Sequence, residues 1–417
     1  MSAPAPEEAV ESSVSDAVSP GRVAFALAQV LHRSGAPVWR VEGGVERLGL
    51  ALGLPMACMA TPTGVFVQVN DELKVLRMHP GGIDLAAQAE AELALSALEA
   101  GALSPAALAE RLLALLRPRP PRILRELLGG LAVPIGAAAL FGGGWGELLG
   151  AGLAGIAVAA LDLGSGARPS LGRLLPLLAG LLAGALPRAL APIFPMNEPL
   201  VTLAALIAVL PGLSFTVALA ELATGHLSSG TARAAGAIIT LLELALGVGF
   251  ATRVVPALAA PAALAASGLP LPAGATLLAL LATGLGLAVQ FHARKNDVQI
   301  VVLAVAAAFG CVKGLAPLLG AEGAAFTTAA LLSLGGDLMH RLSGRSPQLI
   351  TVPGVLLLVP GAVGLSALRD LLDQRTLSGL GAVFDMFALA GSIVGGLLVA
   401  ASVNALRRRP GPGMMAG

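Results

Sequence analysis

The sequence has few charged residues. Asp, Glu, Lys and Arg make up only 12% of its 417 residues, whereas soluble domains carry about 25%. Such a chain cannot cover a water-facing surface of ordinary size. Hydrophobic residues account for 56% of the chain and the mean hydropathy is +0.84. This composition excludes an ordinary soluble protein and predicts a polytopic α-helical membrane protein.

Tyrosine is absent and aromatic residues make up only 3% of the chain, so any interfacial aromatic belt depends on Trp and Phe. The two cysteines, Cys58 and Cys311, lie far apart, which argues against a structural disulfide or a zinc site. The five histidines never fall at metal-ligand spacing. A formal net charge of +1 argues against bulk nucleic-acid binding. We therefore expect no metal, no cofactor and no nucleic-acid partner.

The N-terminal quarter has a different composition from the rest. Residues 1–20 are rich in Ala, Pro, Glu and Ser, which indicates a disordered, uncleaved tail. Residues 21–126 are predicted to form a small cytosolic α+β domain, because helical and alternating periods follow one another. Helices are expected over 22–32, 38–52, 85–98 and 105–116, and strands over 56–60, 65–70 and 73–78.

Local signals within this domain add detail. Ser104 and Asp84 are predicted helix N-caps. The charged residues of the second helix, Arg40, Glu42, Glu46 and Arg47, have the spacing of ion pairs on a solvated helix face.

From about Leu127 onward the sequence is almost entirely apolar. Ten hydrophobic segments are present, near 127–142, 146–163, 171–189, 199–219, 232–255, 272–291, 298–319, 323–340, 347–367 and 379–405. They are grouped as membrane repeat 1 (127–255), a linker (256–271), membrane repeat 2 (272–409) and a disordered tail (410–417). Lys and Arg are more frequent near the loops on the side of the N-terminal domain, which predicts that both termini are cytoplasmic.

An internal repeat supports this division. Residues 211–230 match residues 360–379 at a shift of 149, with seven of twenty positions identical, where chance would give roughly two. The match aligns Pro-Gly with Pro-Gly and Glu221 with Asp370, and farther on it aligns Gly247 with Gly396. Since each copy belongs to a unit of five predicted spans, the two halves should have inverted topology.

Pro-Gly falls within the fourth predicted span of each half, where it interrupts helical hydrogen bonding. Matched helix breaks in inverted halves indicate a binding site near the bilayer midplane. The alternative is that each Pro-Gly only kinks its helix for packing.

Several separated motifs resemble those of the threonine/serine exporter family. They are SGAPVWRVE at 34–42, Leu52-Gly53-Leu54, Arg77, Pro80, Ile83-Asp84-Leu85, Leu210-Pro211-Gly212, Ser229-Gly230-Thr231-Ala232-Arg233, Thr351-Val352-Pro353-Gly354, Leu358-Val359-Pro360-Gly361 and Ser378-Gly379-Leu380. The resemblance implies a multi-pass inner-membrane carrier that exports small hydroxy-amino acids, is driven by protons and has about ten helices. Its partners would be the small-molecule substrate, protons and the lipid bilayer, and a homo-oligomer is compatible with it.

Two other functions remain open. Some relatives with the two halves on separate chains are linked to dicarboxylate export, so a succinate-like cargo is the alternative. A membrane-embedded hydrolase is weakly suggested by Gly335-Gly336-Asp337, but Leu334 and the absence of tyrosine break that motif.

A zwitterionic substrate needs partners for its carboxylate and its ammonium group. Half-helix N-termini at the breaks could hold the carboxylate. The substrate-binding candidates are Pro211, Gly212, Ser214, Thr216, Thr351, Pro360, Gly361 and Ser366. The hydroxyl groups among them could equally bond to the carbonyl four residues earlier.

Ionisable groups inside membrane spans are costly, which makes them candidates for coupling or gating. These candidates are Glu221, Asp370, Asp337, Lys313, Asp385 and Glu243. Asp337 lies four residues before Arg341 and could simply pair with it. Lys313 needs a partner, for which Glu243 or Asp385 could serve. Glu221 and Asp370 could instead be solvated loop acids.

Overall fold

The computed structural model describes residues 19–78, 81–117, 120, 122–166, 168–255, 271–272, 274–358, 361–372 and 375–407. The chain divides into two compact units. The first contains the N-terminal residues up to Pro120 together with Glu221–Ala232, and the second contains the rest of the chain.

The first unit has four N-terminal helices and one sheet. Its elements are α1 (Pro20–Arg33), α2 (Val38–Leu52), β1 (Met56–Thr61), β2 (Gly64–Val69), β3 (Glu72–Arg77), α3 (Leu85–Glu99) and α4 (Pro105–Leu116). The strands form an antiparallel meander in the order β1-β2-β3, with Cys58 opposite Val67 and Val67 opposite Lys74. Every helix and strand expected from the periodicity of residues 22–116 is present, with bounds that differ by at most two residues.

Aliphatic side chains fill the core of this unit. Leu27 on α1, Val45 and Leu48 on α2, and Val65 and Val67 on β2 are at most 2% exposed. The two predicted N-caps are confirmed: Asp84 Oδ1 accepts a hydrogen bond from the Ala87 amide at 2.8 Å, and Ser104 Oγ accepts one from the Ala107 amide at 3.3 Å.

The interpretation of the α2 charges as a solvated face is wrong for Arg40 and Arg47, whereas Glu46 is exposed. Arg40 donates to Glu92 on α3 at 3.1 Å, and Arg47 binds both Glu92 and Glu99, the latter at 2.8 Å. Burial acts to raise the pKa of Glu92, but Arg47 and Arg40 outweigh it and hold that pKa below its usual range. The two arginines of α2 therefore join it to α3.

The second unit is helical. Its elements are α5 (Ile123–Leu140), α6 (Trp145–Gly166), α7 (Pro169–Leu190), α8 (Glu198–Leu206), α9 (Gly212–Ala223), α10 (Leu227–Val254), α11 (Ala275–Gln290), a 3-10 turn (Lys295–Asp297), α12 (Val298–Ser343), α13 (Gln348–Leu358), α14 (Gly361–Leu372) and α15 (Thr376–Arg407), with one end each of α9 and α10 in the first unit. In the described residues, seven stretches of helix are long and apolar enough to cross a membrane, and α9 and α11 are shorter apolar helices. This confirms a polytopic helical membrane protein, and the count of ten spans stays a prediction.

Two interruptions divide the long helical stretches that the structure describes. Residues 207–211 separate α8 from α9, so the first Pro-Gly does interrupt a helix. In the second half, Val359 and Pro360 lie outside the described residues, between Leu358 of α13 and Gly361 of α14, so a break at the second Pro-Gly stays a prediction. Within α12, Gly320 has φ +72° and ψ 178°, a backbone conformation that favours glycine. This kink lies between the predicted segments 298–319 and 323–340.

The first helices of the two halves, α5 and α11, pack against each other along their length. A Cβ atom added to Gly129 would lie 3.0 Å from Val289, near the end of α11, whereas one added to Gly136 would meet Ala279 and Thr283, nearer its start. The two helices are therefore antiparallel.

One close helix contact occurs twice, in positions related by the repeat. A Cβ atom on Gly247 of α10 would overlap the carbonyl oxygen of Leu177 on α7. A Cβ atom on Gly396 of α15 would overlap the carbonyl oxygen of Phe326 on α12. Both members of the contact shift by 149 residues, so the repeat seen in sequence also relates tertiary contacts.

Candidate functional site

The first helix break and the second Pro-Gly position lie side by side in the second unit. Gly361 is buried, and a Cβ atom added to it would lie 3.1 Å from Leu210 Cβ and 3.4 Å from Gly212 Cα. Leu210 precedes the first Pro-Gly and Gly212 is its glycine, whereas Gly361 is the glycine of the second. The start of α9 therefore meets Gly361 at this point.

A cavity of about 250 Å³ opens at the same place. It lies next to Leu210 and Gly361, and Phe141, Thr283 and Phe309 also line it. The remaining lining residues are Ala137, Leu140, Ile207, Leu356 and Leu357. The cavity is smaller than the roughly 300–1,000 Å³ of sites for drug-sized ligands, and its size suits a small molecule.

Polar groups at the cavity come mainly from the interrupted backbone. The first amide groups of α9 have no acceptor within their own helix, because helical bonds run to the residue four positions earlier. The Ala208 carbonyl in the broken segment accepts a hydrogen bond from Gln290 Nε2 at 3.3 Å. Thr283 Oγ1 donates to the Ala279 carbonyl at 2.8 Å and keeps acceptor capacity toward the cavity.

The predicted substrate residues are dispersed around this site. Gly361 lines the cavity, and Gly212 lies beside it. Thr216 donates to the Gly212 carbonyl and Thr351 to the Pro347 carbonyl, each at 3.1 Å. These are bonds to the carbonyl four residues earlier, and in this conformation they engage both hydroxyl protons.

The remaining candidates lie elsewhere. Pro211 is half-buried at the break and Ser214 is exposed. Ser366 lines a separate cavity of about 60 Å³ together with Thr202 and Arg369. Pro360 is outside the described part of the chain.

The matched acids form the same turn in both halves. Ser229 Oγ donates to Glu221 Oε2 at 2.8 Å, and Ser378 Oγ donates to Asp370 Oδ2 at 2.9 Å. The backbone repeats as well, because the His226 amide donates to the Glu221 carbonyl at 2.9 Å and the Arg375 amide to the Asp370 carbonyl at 2.8 Å.

The surroundings of the two acids differ. Glu221 is 0% exposed and also accepts a hydrogen bond from the Val38 amide at 3.3 Å. The Asp370 side chain is 29% exposed and lies 3.8 Å from Arg375 Nη1. Glu221 is therefore a buried carboxylate with polar partners, and Asp370 is a partly hydrated one.

The other coupling candidates do not converge on the cavity. Asp337 and Arg341 both bond to Asn404: Asn404 Nδ2 donates to Asp337, and Arg341 Nη2 donates to Asn404 Oδ1 at 3.3 Å. Lys313 is exposed and its Nζ lies 5.5 Å from the Phe309 ring centroid. Among the described residues no ion pair joins Lys313 to Glu243, which is half-buried, or to Asp385, which is exposed.

Sequence reasoning missed a buried carboxylate, Glu147. It is 0% exposed and accepts hydrogen bonds from the Gly144 and Asn197 amides, both at 2.8 Å. In the second half, Asp297 lies at the start of α12, one residue beyond the position that the repeat aligns with Glu147, and accepts a hydrogen bond from Arg345 at 3.1 Å. The available signal was an acid at the start of the second helix of each half.

The part of the chain that the structure describes contains no group of three or more His, Cys, Asp or Glu side chains that could hold a metal ion. The site therefore consists of a small apolar cavity, the start of α9 beside Gly361, and scattered side-chain polar groups.

Comparison with protein families gives two matches. Residues 22–255 match the ThrE family model, described as a threonine/serine exporter, and residues 275–403 match a second model, described as threonine/serine exporter, ThrE. Neither the curated proteins nor the solved structures contain a significant match to this chain.

Proposed function

Since these two matches cover most of its length, the chain belongs to the threonine/serine exporter family, and we propose that it is a proton-coupled secondary carrier that exports threonine and serine across the inner membrane. The observation that carries this proposal is that the break between α8 and α9 meets Gly361, the glycine of the second Pro-Gly, at one small cavity. Interrupted helices that meet near the membrane centre are the usual binding arrangement of secondary carriers.

The substrate carboxylate would lie at the first turn of α9. A helix start carries a partial positive charge of roughly half an elementary charge from its unpaired amides. The ammonium group would bind backbone carbonyls of residues 207–210. We assign recognition of a hydroxyl group to Thr283, which lines the cavity, and to Gln290, which donates to the Ala208 carbonyl, and such a partner is needed because an apolar pocket alone discriminates weakly.

We further propose ten spans arranged as two inverted repeats of five, with both termini in the cytoplasm. The antiparallel packing of α5 and α11 supports inversion, since these are the first helices of the two halves. The duplicated contact of Gly247 and Gly396 supports the shift of 149 residues. In this topology Glu221 lies toward the cytoplasm and Asp370 toward the outside.

Coupling is assigned to Glu221 and Asp370, because they are the acids that the repeat matches and each holds a matched serine. Each would exchange a proton when its own side of the carrier is open. Asp337, Asp385, Glu243 and Lys313 are retained as secondary candidates for this role, since charged groups within apolar helices are costly unless they have a function.

A counterflow assay tests the proposal. Purified protein in proteoliposomes preloaded with threonine should accumulate labelled threonine and serine, but not labelled succinate, and the cargo should be recovered unchanged. Uptake of succinate alone would establish the dicarboxylate alternative, and chemical alteration of the cargo would indicate an enzyme.

A matched pair of variants connects this transport to the cavity. Gly361→Leu places a side chain against Leu210 and should abolish counterflow. Gly391→Leu is the control, because a Cβ atom there meets nothing within 4 Å. Equal transport by both variants would show that the cavity at the breaks is not on the substrate path.

A further inference from the structure

The segment Glu221–Ala232 belongs to the first unit, although it connects α9 to α10. Its anchor is the Glu221 carboxylate. Oε1 accepts the hydrogen bond from the Val38 amide at 3.3 Å and Oε2 accepts the bond from Ser229 at 2.8 Å. One side chain therefore joins α2 to the segment and closes the turn within the segment.

The start of α2 has no side-chain cap of its own. Its N-cap is Pro37, which provides no side-chain hydrogen bond to the first turn. The amides at a helix start lack internal acceptors, and a carboxylate there is stabilised by the helix dipole. Glu221, which is 183 residues away in sequence, takes the place of the missing cap.

A second contact lies beside the first. His226 Nε2 is 3.1 Å from Glu42 Oε2, and its ring centroid is 6.4 Å from that of Trp39. Glu42 Oε1 also accepts a hydrogen bond from the Ala60 amide at 2.9 Å, so that carboxylate links the segment to both α2 and β1. Trp39 and Glu42 of α2 and His226 of the segment therefore form a small polar and aromatic cluster.

Among the described residues, the second half has the acid–serine bond without this cluster. Asp370 and Ser378 reproduce the acid–serine bond, but Arg375 stands where the first half has His226, and it is mostly exposed. The acid–serine bond thus belongs to the repeat, whereas the contacts to Val38, Trp39 and Glu42 are particular to the first half.

We propose that Trp39, Glu42 and His226, together with Glu221, form a latch by which the N-terminal unit controls transport. The inference rests on the proposed function. The helix that follows the first break, α9, runs directly into the latched segment, and α10 leaves it. We therefore expect a change in the relative position of α9 and α10 during transport to open the latch, and a latch that cannot open should stop the cycle.

Crosslinking tests the latch. Cys58 and Cys311 are replaced by Ser, Glu42→Cys and His226→Cys are introduced, and the pair is joined with a short reducible crosslinker in purified protein. Threonine counterflow should fall at least tenfold and return after reduction. A long flexible crosslinker on the same two cysteines should leave counterflow within about twofold of the untreated protein, since it permits opening.

The matched control crosslinks two helices of the same unit and leaves the segment Glu221–Ala232 unmodified. Arg47→Cys and Glu99→Cys join α2 to α3, where the native side chains are 2.8 Å apart, and the short crosslinker there should leave counterflow unchanged. Undiminished counterflow of the crosslinked Glu42/His226 pair would overturn the latch. So would failure of that pair to crosslink while the control pair does.

A measurement independent of cargo separates the latch from the proposed function. The chain has two tryptophans, so Trp145→Phe leaves Trp39 as the only reporter. Glu221→Gln should shift Trp39 emission to longer wavelength, whereas Asp370→Asn, the equivalent change in the other half, should not. Equal responses to the two substitutions would refute the latch, while absence of threonine and serine counterflow in uncrosslinked protein would refute only the proposed cargo.

Discussion

The two units of the chain hold their helices together by different means. In the first unit, valine and leucine side chains fill the space between α1, α2 and the sheet, and charged side chains on α2 and α3 pair across the helix interface. In the second unit, glycines let helix backbones approach one another directly, as at Gly247 and Gly396. The first unit therefore depends on side chains that reach across a gap, and the second depends on the absence of side chains.

This difference predicts different sensitivities to mutation. Where side chains fill a gap, removal of a group leaves a cavity or an unpaired charge, and the loss is graded. Where backbones touch, addition of a group forces helices apart, and little relaxation is available because both neighbours are backbone atoms.

The largest effect is expected at the duplicated contact. Gly247→Leu and Gly396→Leu should each prevent the native helix packing, because the new side chain would overlap a backbone carbonyl of α7 or α12. Gly249→Leu on α10 and Gly391→Leu on α15 are matched controls with open space at Cβ. The yield of monodisperse protein after detergent extraction measures the outcome, and loss in all four variants would contradict the role of the contact.

The next effect concerns the matched acids. Asp370→Asn keeps the shape of the side chain and its bond with Ser378 but removes the titrating group, so export driven by a pH gradient should fall severalfold while the protein still inserts and folds. Glu221→Gln should do the same from the other half. Flux in proteoliposomes at several imposed pH gradients measures this. Wild-type rate and pH dependence in both variants would move the coupling group to Asp337, Asp385 or Glu243.

A smaller effect is expected in the ion pairs of the first unit. Glu92→Gln leaves Arg40, which is mostly buried, without its anionic partner. Breaking such a pair costs about 3–5 kcal/mol when it is fully buried and less where water screens it, so we expect about 1–3 kcal/mol here. Denaturant unfolding followed by Trp39 fluorescence in the Trp145→Phe background measures the loss.

The same pair makes a prediction about pH. The pKa of Glu92 is lower in the folded chain than in the unfolded one, so its stabilising contribution is complete above its unfolded pKa of about 4.3. The contribution is lost as the pH falls through the lower, folded pKa. The stability difference between wild type and Glu92→Gln should therefore be constant near neutral pH and shrink only in acid. A difference that already declines between pH 7 and pH 5 would contradict this assignment.

The smallest expected effect is at Cys58. Burial, followed by the charges of Glu42 and Glu46, raises the pKa of its thiol to about 12. The thiol should therefore react slowly with maleimide at neutral pH, since the thiolate is the reactive form. Glu46→Gln should speed labelling by a few-fold by removing one negative charge, and Glu110→Gln on α4 is a control. Equal labelling rates in both variants would show that Glu46 does not influence the thiol.

Sequence was sufficient where the signal is local or repeated. The alternation over residues 56–77 placed three strands, Ser104 and Asp84 marked helix starts, and Pro211-Gly212 marked a break, because each depends on a few neighbouring residues. The match of Gly247 with Gly396 falls on a tertiary contact that occurs in both halves, because duplication preserved both sides of it.

The sequence did not predict hydrogen bonds and ion pairs between polar groups that are far apart along the chain. The spacing of Arg40 and Arg47 along α2 predicts ion pairs within that helix. It contains no information about Glu92, which lies on another helix and binds both arginines. The same limit applies to Glu147 with Asn197, to Gln290 with Ala208 and to Asn404 between Asp337 and Arg341. In each case the partner is chosen by packing between elements, which no local pattern contains.

The antiparallel contact of α5 and α11 has a consequence for how the molecule is put together. The glycines at this helix contact come from both halves: Gly129 and Gly136 from the first and Gly286 from the second. Neither half alone therefore contains both sides of the contact. A gene cut between the codons for residues 255 and 271 would produce two polypeptides with complementary faces. Such fragments, synthesised in one cell, should assemble into a working exporter, because recognition between them is built into the helices and does not require a peptide bond to join them.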